Sequence, residues 1–177
     1  MSLTRQTRWM LPALAASLLL PVLAARADGD RVLQMTFAVR NGSGDNPMVA
    51  VWVESAEGEF VKTLRVFSKN LAYHRDLLAW RFKSKASEKD PGYDAITGAT
   101  IKWGRQASLT VPVKTGDRDL LDGSYVLRIE SRKFNGQHYR TFKIPLTKEF
   151  AGGKFEDAGY VASVEVAVKD APKPEAK

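Results

Sequence analysis

Alternating hydrophobic and polar positions dominate the chain from residue 32 onward. In residues 32–40, the hydrophobic side chains Leu33, Met35, Phe37 and Val39 fall on one face of an extended strand. Six further segments are strand-like in the same way: 48–54, 60–67, 106–113, 124–132, 138–146 and 161–169. A period of two is typical of a β-strand with one buried face, and turn residues separate the segments. Seven such strands predict an all-β fold, an immunoglobulin-like antiparallel β-sandwich.

Two short features refine this prediction. Pro112 has no backbone N–H group to donate, so the segment 106–113 must lie at the edge of a sheet or end there. Asn135 and Gly136 stand between two predicted strands and favour the positive φ angles of a type I′ hairpin turn. The sequence therefore predicts that residues 124–132 and 138–146 form a hairpin.

One stretch has a longer period. Leu71, His74, Leu78 and Phe82 are three or four residues apart, which places them on one stripe of a helix. Asn70 precedes them and is a good N-cap residue, because its side chain can accept hydrogen bonds from the first turn. We predict one short helical insertion over residues 70–82, with that stripe buried.

The first 27 residues are those of an exported protein. Arg5 and Arg8 precede an apolar run over residues 9–25, and Ala25-Arg26-Ala27 supplies small residues at both positions that a signal peptidase reads. A membrane anchor is the alternative, but two prolines interrupt the run and it is short for a span. We expect a cleaved signal peptide (1–27), a periplasmic β-sandwich domain (28–169) and a disordered, proline- and charge-rich tail (170–177).

Charge and composition exclude several functions. Removal of the signal peptide takes away three arginines and no acidic residue, so the net charge falls from +7 to +4. This modest charge is spread along the chain and does not predict nucleic-acid binding. The absence of cysteine excludes disulfides, thiolate zinc sites and a thiol nucleophile. His74 and His138 belong to no metal-binding pattern, so we expect no metal site, no catalytic residues and a non-enzymatic protein.

The segment after the helical insertion carries the most specific signal, the run Asp94-Ala95-Ile96-Thr97-Gly98-Ala99-Thr100. It resembles the acceptor motif of flavinylated bacterial proteins, in which an FAD:protein FMN transferase esterifies FMN to the final threonine. The resemblance implies that Thr100 carries covalent FMN. Gly98 and Ala99 leave the small, pliable approach that a transferase needs, and glycine permits unusual backbone angles. Asp94 and Thr97 can brace the turn, and N–H groups near Gly98 can hold the phosphate.

Three aromatic residues bracket this motif in the sequence. Trp80, Tyr93 and Trp103 have rings that can stack on the isoalloxazine of FMN. Ordinary packing is the alternative, because tryptophans in domains of this size mostly bury large areas. For Trp80 and Trp103 the sequence slightly favours packing.

Two wider resemblances cover the rest of the mature chain. The first is to the predicted periplasmic proteins of domain-of-unknown-function family 2271. It rests on the 94–100 motif, on Trp80 and on three runs: Ala50-Val51-Trp52-Val53-Glu54, Gly58-Glu59-Phe60-Val61-Lys62-Thr63-Leu64 and Tyr73-His74-Arg75-Asp76-Leu77. That resemblance implies association with flavin transferases and PepSY-type membrane reductases. The second is to the immunoglobulin-like domain of the flagellar hook-capping protein, and it rests on Gly116-Asp117 and Asp122-Gly123-Ser124-Tyr125-Val126-Leu127-Arg128. It bears on the fold only.

Two functions remain open at this point. The first is a periplasmic redox carrier with FMN on Thr100, exchanging electrons with a membrane reductase. The second is a non-enzymatic binding or structural module in envelope assembly or metal uptake. A hydrolase or metalloenzyme is disfavoured, because the sequence contains no catalytic constellation.

Overall fold

The computed structural model describes residues 31–69, 71–85, 93–136 and 141–172. The predicted signal peptide and most of the predicted tail lie outside these ranges, as does His138. In chain order the strands are β1 (Arg31–Val39), β2 (Met48–Ser55), β3 (Phe60–Phe67), β4 (Thr97–Gly98), β5 (Gln106–Pro112), β6 (Lys114–Thr115), β7 (Arg118–Asp119), β8 (Tyr125–Arg132), β9 (Phe142–Leu146), β10 (Gly152–Ala158) and β11 (Val161–Asp170). A 3₁₀ helix (Leu71–Asp76) and two α-helices, α1 (Leu78–Ser84) and α2 (Tyr93–Ile96), lie between β3 and β4.

Two sheets make the sandwich. One has the strand order β10-β11-β1-β5 and the other β4-β3-β2-β8-β9, while β6 and β7 form a separate two-stranded ribbon. All pairings are antiparallel except that of β3 with β4, which is parallel. The predicted all-β sandwich with one short helical insertion is confirmed. β5 lies at a sheet edge, as Pro112 requires.

The main core lies between the two sheets. From β1, Leu33, Met35 and Phe37 are fully buried, as their alternation predicts, and they pack with the inward residues of β2, such as Val51. Further aliphatic side chains from β8, β9 and β11 complete this core: Leu127, Ile129, Ile144, Leu146, Val164 and Val166. Burial of this apolar surface is the main stabilising contribution to the fold.

A second cluster covers the outer face of β2. Ala50 and Trp52 on that face are as deeply buried as the inward residues, although simple alternation predicts one exposed face. The helical insertion causes this difference, because Leu77 and Trp80 pack over β2 together with Met48, Val66 and Tyr93. The central strand of this sheet is therefore covered on both sides.

The insertion differs from the predicted helix. It is not one helix over residues 70–82, and Leu78 and Phe82 of the predicted buried stripe are 53% and 82% exposed. His74 is buried as predicted, but the other described side chains buried there are Leu77 and Trp80. His74 lies in the 3₁₀ segment, which has three residues per turn, so the inward face has shifted from Leu78 to Leu77 where α1 begins. The predicted cap, Asn70, lies outside the described residues.

Two other local predictions need correction. The strand β10 was not predicted, because Gly152 and Gly153 with the charged residues after them resemble a turn. It is nevertheless a regular edge strand paired with β11. The predicted type I′ turn is wrong, because only Asn135 has a positive φ (52°) and Gly136 does not. Glycine is favoured at 136 by space, since a Cβ there would collide with the Tyr160 hydroxyl.

Candidate functional site

The 94–100 motif is held against the edge of the five-stranded sheet. Its first residues form α2, and Thr97 and Gly98 then form β4, which pairs in parallel with the end of β3. Tyr93, directly before the motif, is 4% exposed, and its hydroxyl lies 2.6 Å from His74 Nδ1. The motif therefore has regular secondary structure at its start. It is a helical turn followed by a short strand. The contact of Tyr93 with His74 holds the start of the turn, and the pairing of β4 with β3 holds its end.

The parallel pairing determines what lies beside Thr100. Val66 pairs with Thr97 and Phe67 with Gly98, so continuing the register by two residues brings Lys69 next to Thr100. The Lys69 backbone N–H donates a 2.9 Å hydrogen bond to Thr100 Oγ1. This bond uses one lone pair of the hydroxyl oxygen and fixes the direction of the side chain. Thr100 is half-buried, with its hydroxyl held from the sheet side.

Gly98 leaves room for a close neighbour, whereas its backbone angle does not call for glycine. Its φ is not in the positive range, in contrast to the expectation that glycine supplies unusual angles here. A Cβ at this position would collide with the Arg65 guanidinium. Arg65 Nη1 also donates to the Ala95 carbonyl oxygen at 3.3 Å. The absence of a side chain at 98 therefore lets a cation from β3 reach across the motif backbone.

The other motif residues have simpler positions. Ala99 is exposed, and Thr97 is half-buried within β4. Asp94 lies in α2, but its side chain is outside what the structure describes. Its bracing role, like that of Thr97, stays a prediction.

Two cavities meet at Thr100. The larger, of about 610 Å³, is lined by Thr100 and by Asp45, Asn46, Met48, Ser68, Lys69 and Tyr73. The smaller, of about 370 Å³, is lined by Thr100 and by Arg65, Phe67, Ala99, Ile101, Lys102, Arg105, Gln106 and Ala107. Both are within the range of about 300–1,000 Å³ that is usual for small-molecule sites. Thr100 is a lining residue of both cavities.

The charges around Thr100 suit a phosphate. The charged residues described in the lining of the smaller cavity are Arg65, Lys102 and Arg105, all of them cations. A phosphodiester on Thr100 would carry one negative charge, and guanidinium and ammonium groups are its usual partners in proteins. The larger cavity adds the Tyr73 ring and both hydrogen-bond donors and acceptors. These residues fit an FMN group linked through Thr100.

The three predicted stacking residues occupy different environments. Trp80 is 0% exposed and donates from Nε1 to Thr63 Oγ1 at 2.9 Å, so it packs under the insertion and offers no face to either cavity. Tyr93 belongs to the same buried cluster. Trp103 is half-buried beside Gly42, and its Nε1 donates to the Gly44 carbonyl oxygen at 3.3 Å. The structure thus supports the packing alternative for these rings.

Several residues of the site were missed by sequence reasoning. Lys102 and Arg105 follow Thr100 within five positions, and that local run of positive charge was the signal that could have indicated them. Arg65, Lys69 and Tyr73 are distant in sequence. Only the β3–β4 pairing and the path of the 3₁₀ segment bring them to the motif.

The rest of the described chain offers little other chemistry. No group of three or more potential metal ligands occurs among the described residues. His74 is fully buried, between the Tyr93 hydroxyl and the Ser68 carbonyl oxygen, as expected for a packed histidine. In the ranges that the structure covers, every helix is too short or too polar to cross a bilayer.

Comparison with known proteins gives one match. A family model described as "Predicted periplasmic protein (DUF2271)" matches residues 30–163, which include both sheets up to the start of β11 and the whole 94–100 motif. No curated protein and no solved structure gives a significant match.

Proposed function

The chain belongs to the DUF2271 family of predicted periplasmic proteins, and from this premise we propose that it is a redox carrier with FMN esterified to Thr100. The observation that carries the proposal is the position of Thr100. Thr100 lines both a cationic cavity and a larger cavity, and it ends the segment that resembles a flavin acceptor motif. When bound, FMN supplies the redox chemistry, while the protein sets its position and potential.

The attachment step balances without an oxidant or reductant. Thr100 Oγ1 forms a bond to the FMN phosphorus of FAD, the pyrophosphate bond breaks, AMP leaves and the hydroxyl proton is released. The Lys69 N–H holds the oxygen in position before attack, since its hydrogen bond occupies one lone pair and leaves the other for the new bond to phosphorus. An FAD:protein FMN transferase is the proposed partner for this step.

The cations of the smaller cavity then hold the product. Arg65 is the best placed of them, because it already lies across Gly98, two residues before the acceptor. Lys102 and Arg105 follow Thr100 in the sequence and line the same cavity. Together they offset the charge of the phosphodiester and restrict its movement. A PepSY-type membrane reductase is the proposed electron-transfer partner, and the chain itself is proposed to be non-enzymatic.

Labelling with a transferase tests the proposal. With FAD, Mg²⁺ and an FAD:protein FMN transferase, the protein from residue 28 onward should gain the mass of one FMN less one water. Thr100→Ala should abolish this gain, whereas Thr110→Ala, a matched change at an exposed threonine on β5, should not affect it. Thr97→Ala and Asp94→Asn should slow labelling without eliminating it. A mass gain that persists in Thr100→Ala would place the flavin elsewhere.

A binding module is the second candidate. Phe82 and Leu78 are exposed on the outer face of α1, with Arg81 and Lys83 beside them in sequence. Aromatic residues and arginine are enriched at protein interaction surfaces. If the wild-type chain gains no mass with the transferase of its own organism, a partner-binding role in envelope assembly or metal uptake becomes the better account.

A further inference from the structure

The larger cavity beside Thr100 has an aromatic wall. Tyr73 lines it together with Met48, while Asp45, Asn46, Ser68 and Lys69 supply polar groups. None of the three aromatic residues that bracket the motif in sequence lines this cavity among the described residues. The aromatic ring described in the lining of the larger cavity is thus one that the motif itself does not indicate.

Tyr73 packs on a second aromatic ring. Its ring stacks on Phe134, with 4.7 Å between the ring centroids and 25° between the planes. It lies in the 3₁₀ segment next to His74, which is fully buried and bonded to Tyr93 and to the Ser68 carbonyl oxygen. Ser68 lines the same cavity. The network that anchors the start of the motif therefore also fixes the position of Tyr73.

We propose that Tyr73, supported from behind by Phe134, is the wall against which the isoalloxazine ring of a Thr100-linked FMN packs. This inference rests on the proposed function and adds the ring-binding residues to it. Aromatic rings pack favourably in offset or tilted pairs, with a gain beyond that of the buried area alone. The two cavities then have different tasks. The smaller cavity, with its three cations, holds the phosphate. The larger cavity, which Tyr73 lines, holds the isoalloxazine ring.

Access of iodide to the flavin tests this division. In labelled protein, Tyr73→Leu should raise the iodide quenching constant of flavin fluorescence about twofold or more, since it removes the aromatic face. Tyr73→Phe keeps the ring and should stay near the wild-type value. Phe134→Leu should give an intermediate value, because Tyr73 loses its support. Phe82→Leu changes an exposed aromatic outside the cavity and is the matched control.

The outcomes separate the two proposals. If wild-type protein gains no FMN mass, the proposed function fails. If labelling occurs but Tyr73→Leu and Phe82→Leu give the same quenching constant, the ring lies elsewhere and this inference fails alone. Circular dichroism confirms that each variant is folded. Should Tyr73→Leu unfold, Phe134→Leu decides, because an unchanged constant in that variant would contradict the proposed wall.

Discussion

The two hydrophobic clusters on either side of β2 are built differently. Between the sheets, the main core consists of aliphatic side chains and a few aromatic rings. On the outer face, polar atoms are buried among the aromatics, and the indole N–H groups of Trp52 and Trp80 donate to Glu54 and Thr63. The Glu130 carboxylate is 1% exposed there and accepts from the backbone N–H groups of Ala79 and Trp80.

Because of this difference, the main core contributes chiefly to stability, whereas the outer cluster also fixes the positions of particular groups. An aliphatic core is tolerant of small shifts, because dispersion contacts are not directional. Hydrogen bonds in a buried cluster are directional, and each one fixes the place of a particular group. Glu130 takes the place of the missing side-chain cap of α1, and His74 holds Tyr93 at the start of the motif. We therefore expect the loss of core side chains to lower stability most, and the loss of hydrogen bonds in the outer cluster to affect chiefly the motif.

Phe37→Ala should have the largest effect on stability. Phe37 is fully buried in the main core and its ring lies 5.5 Å from that of Phe67. Removal of a buried phenylalanine ring costs about 3–5 kcal/mol, from lost transfer free energy and the cavity left behind. Urea unfolding monitored by circular dichroism measures the loss. A change below about 1 kcal/mol would mean that the site can collapse and that the core is not tightly packed there.

Tyr93→Phe should cost less overall but loosen the motif. It removes one hydroxyl and its 2.6 Å contact with His74, and a single hydrogen bond contributes about 1 kcal/mol to stability. Amide hydrogen exchange over residues 93–98 should accelerate, and FMN attachment should slow. Tyr125→Phe, at a half-buried tyrosine on β8, is the control and should alter neither. Unchanged exchange over 93–98 would show that His74 does not anchor the motif.

These two regions also differ in how far the sequence predicts them. In the main core, alternation alone identifies Leu33, Met35 and Phe37 as buried, because each strand has a single buried face. Under the insertion, alternation predicts an exposed outer face on β2, but residues such as Leu77 cover that face. The change from 3₁₀ helix to α-helix also alters which side chains of the insertion point inward. The site depends on the same long-range packing. Residues within the motif were predictable, whereas Lys69 required the register of β3 with β4.

Gly98→Ala should have a smaller effect on stability and a larger one on labelling. The new methyl group meets the end of the flexible Arg65 side chain, which can move away at a cost below about 1 kcal/mol. Arg65 then leaves the motif, and the smaller cavity loses a cation near Thr100, so FMN attachment should slow. Mass spectrometry of samples taken from the labelling reaction at successive times measures the rate of attachment.

A double-mutant cycle isolates the cause of that effect. In an Arg65→Ala background the methyl group has no guanidinium to displace, so Gly98→Ala should then change neither stability nor labelling rate further. Neighbouring residues that share a contact are non-additive in this way. Additive effects would mean that glycine at 98 acts through something other than Arg65.

Phe82→Ser should have the smallest effect on stability. Phe82 is 82% exposed on the outer face of α1, so its loss removes little buried area, and exposed substitutions usually change stability by within about 0.5 kcal/mol. FMN attachment should also be unchanged, because the side chain lines neither cavity among the described residues. Phe60→Ser is the control, since Phe60 is half-buried against the outer cluster and its loss should be clearly destabilising. If urea unfolding shows Phe82→Ser to be as destabilising as Phe60→Ser, then Phe82 is buried in the folded protein in solution, and the boundary between the outer cluster and the surface of α1 has been drawn in the wrong place.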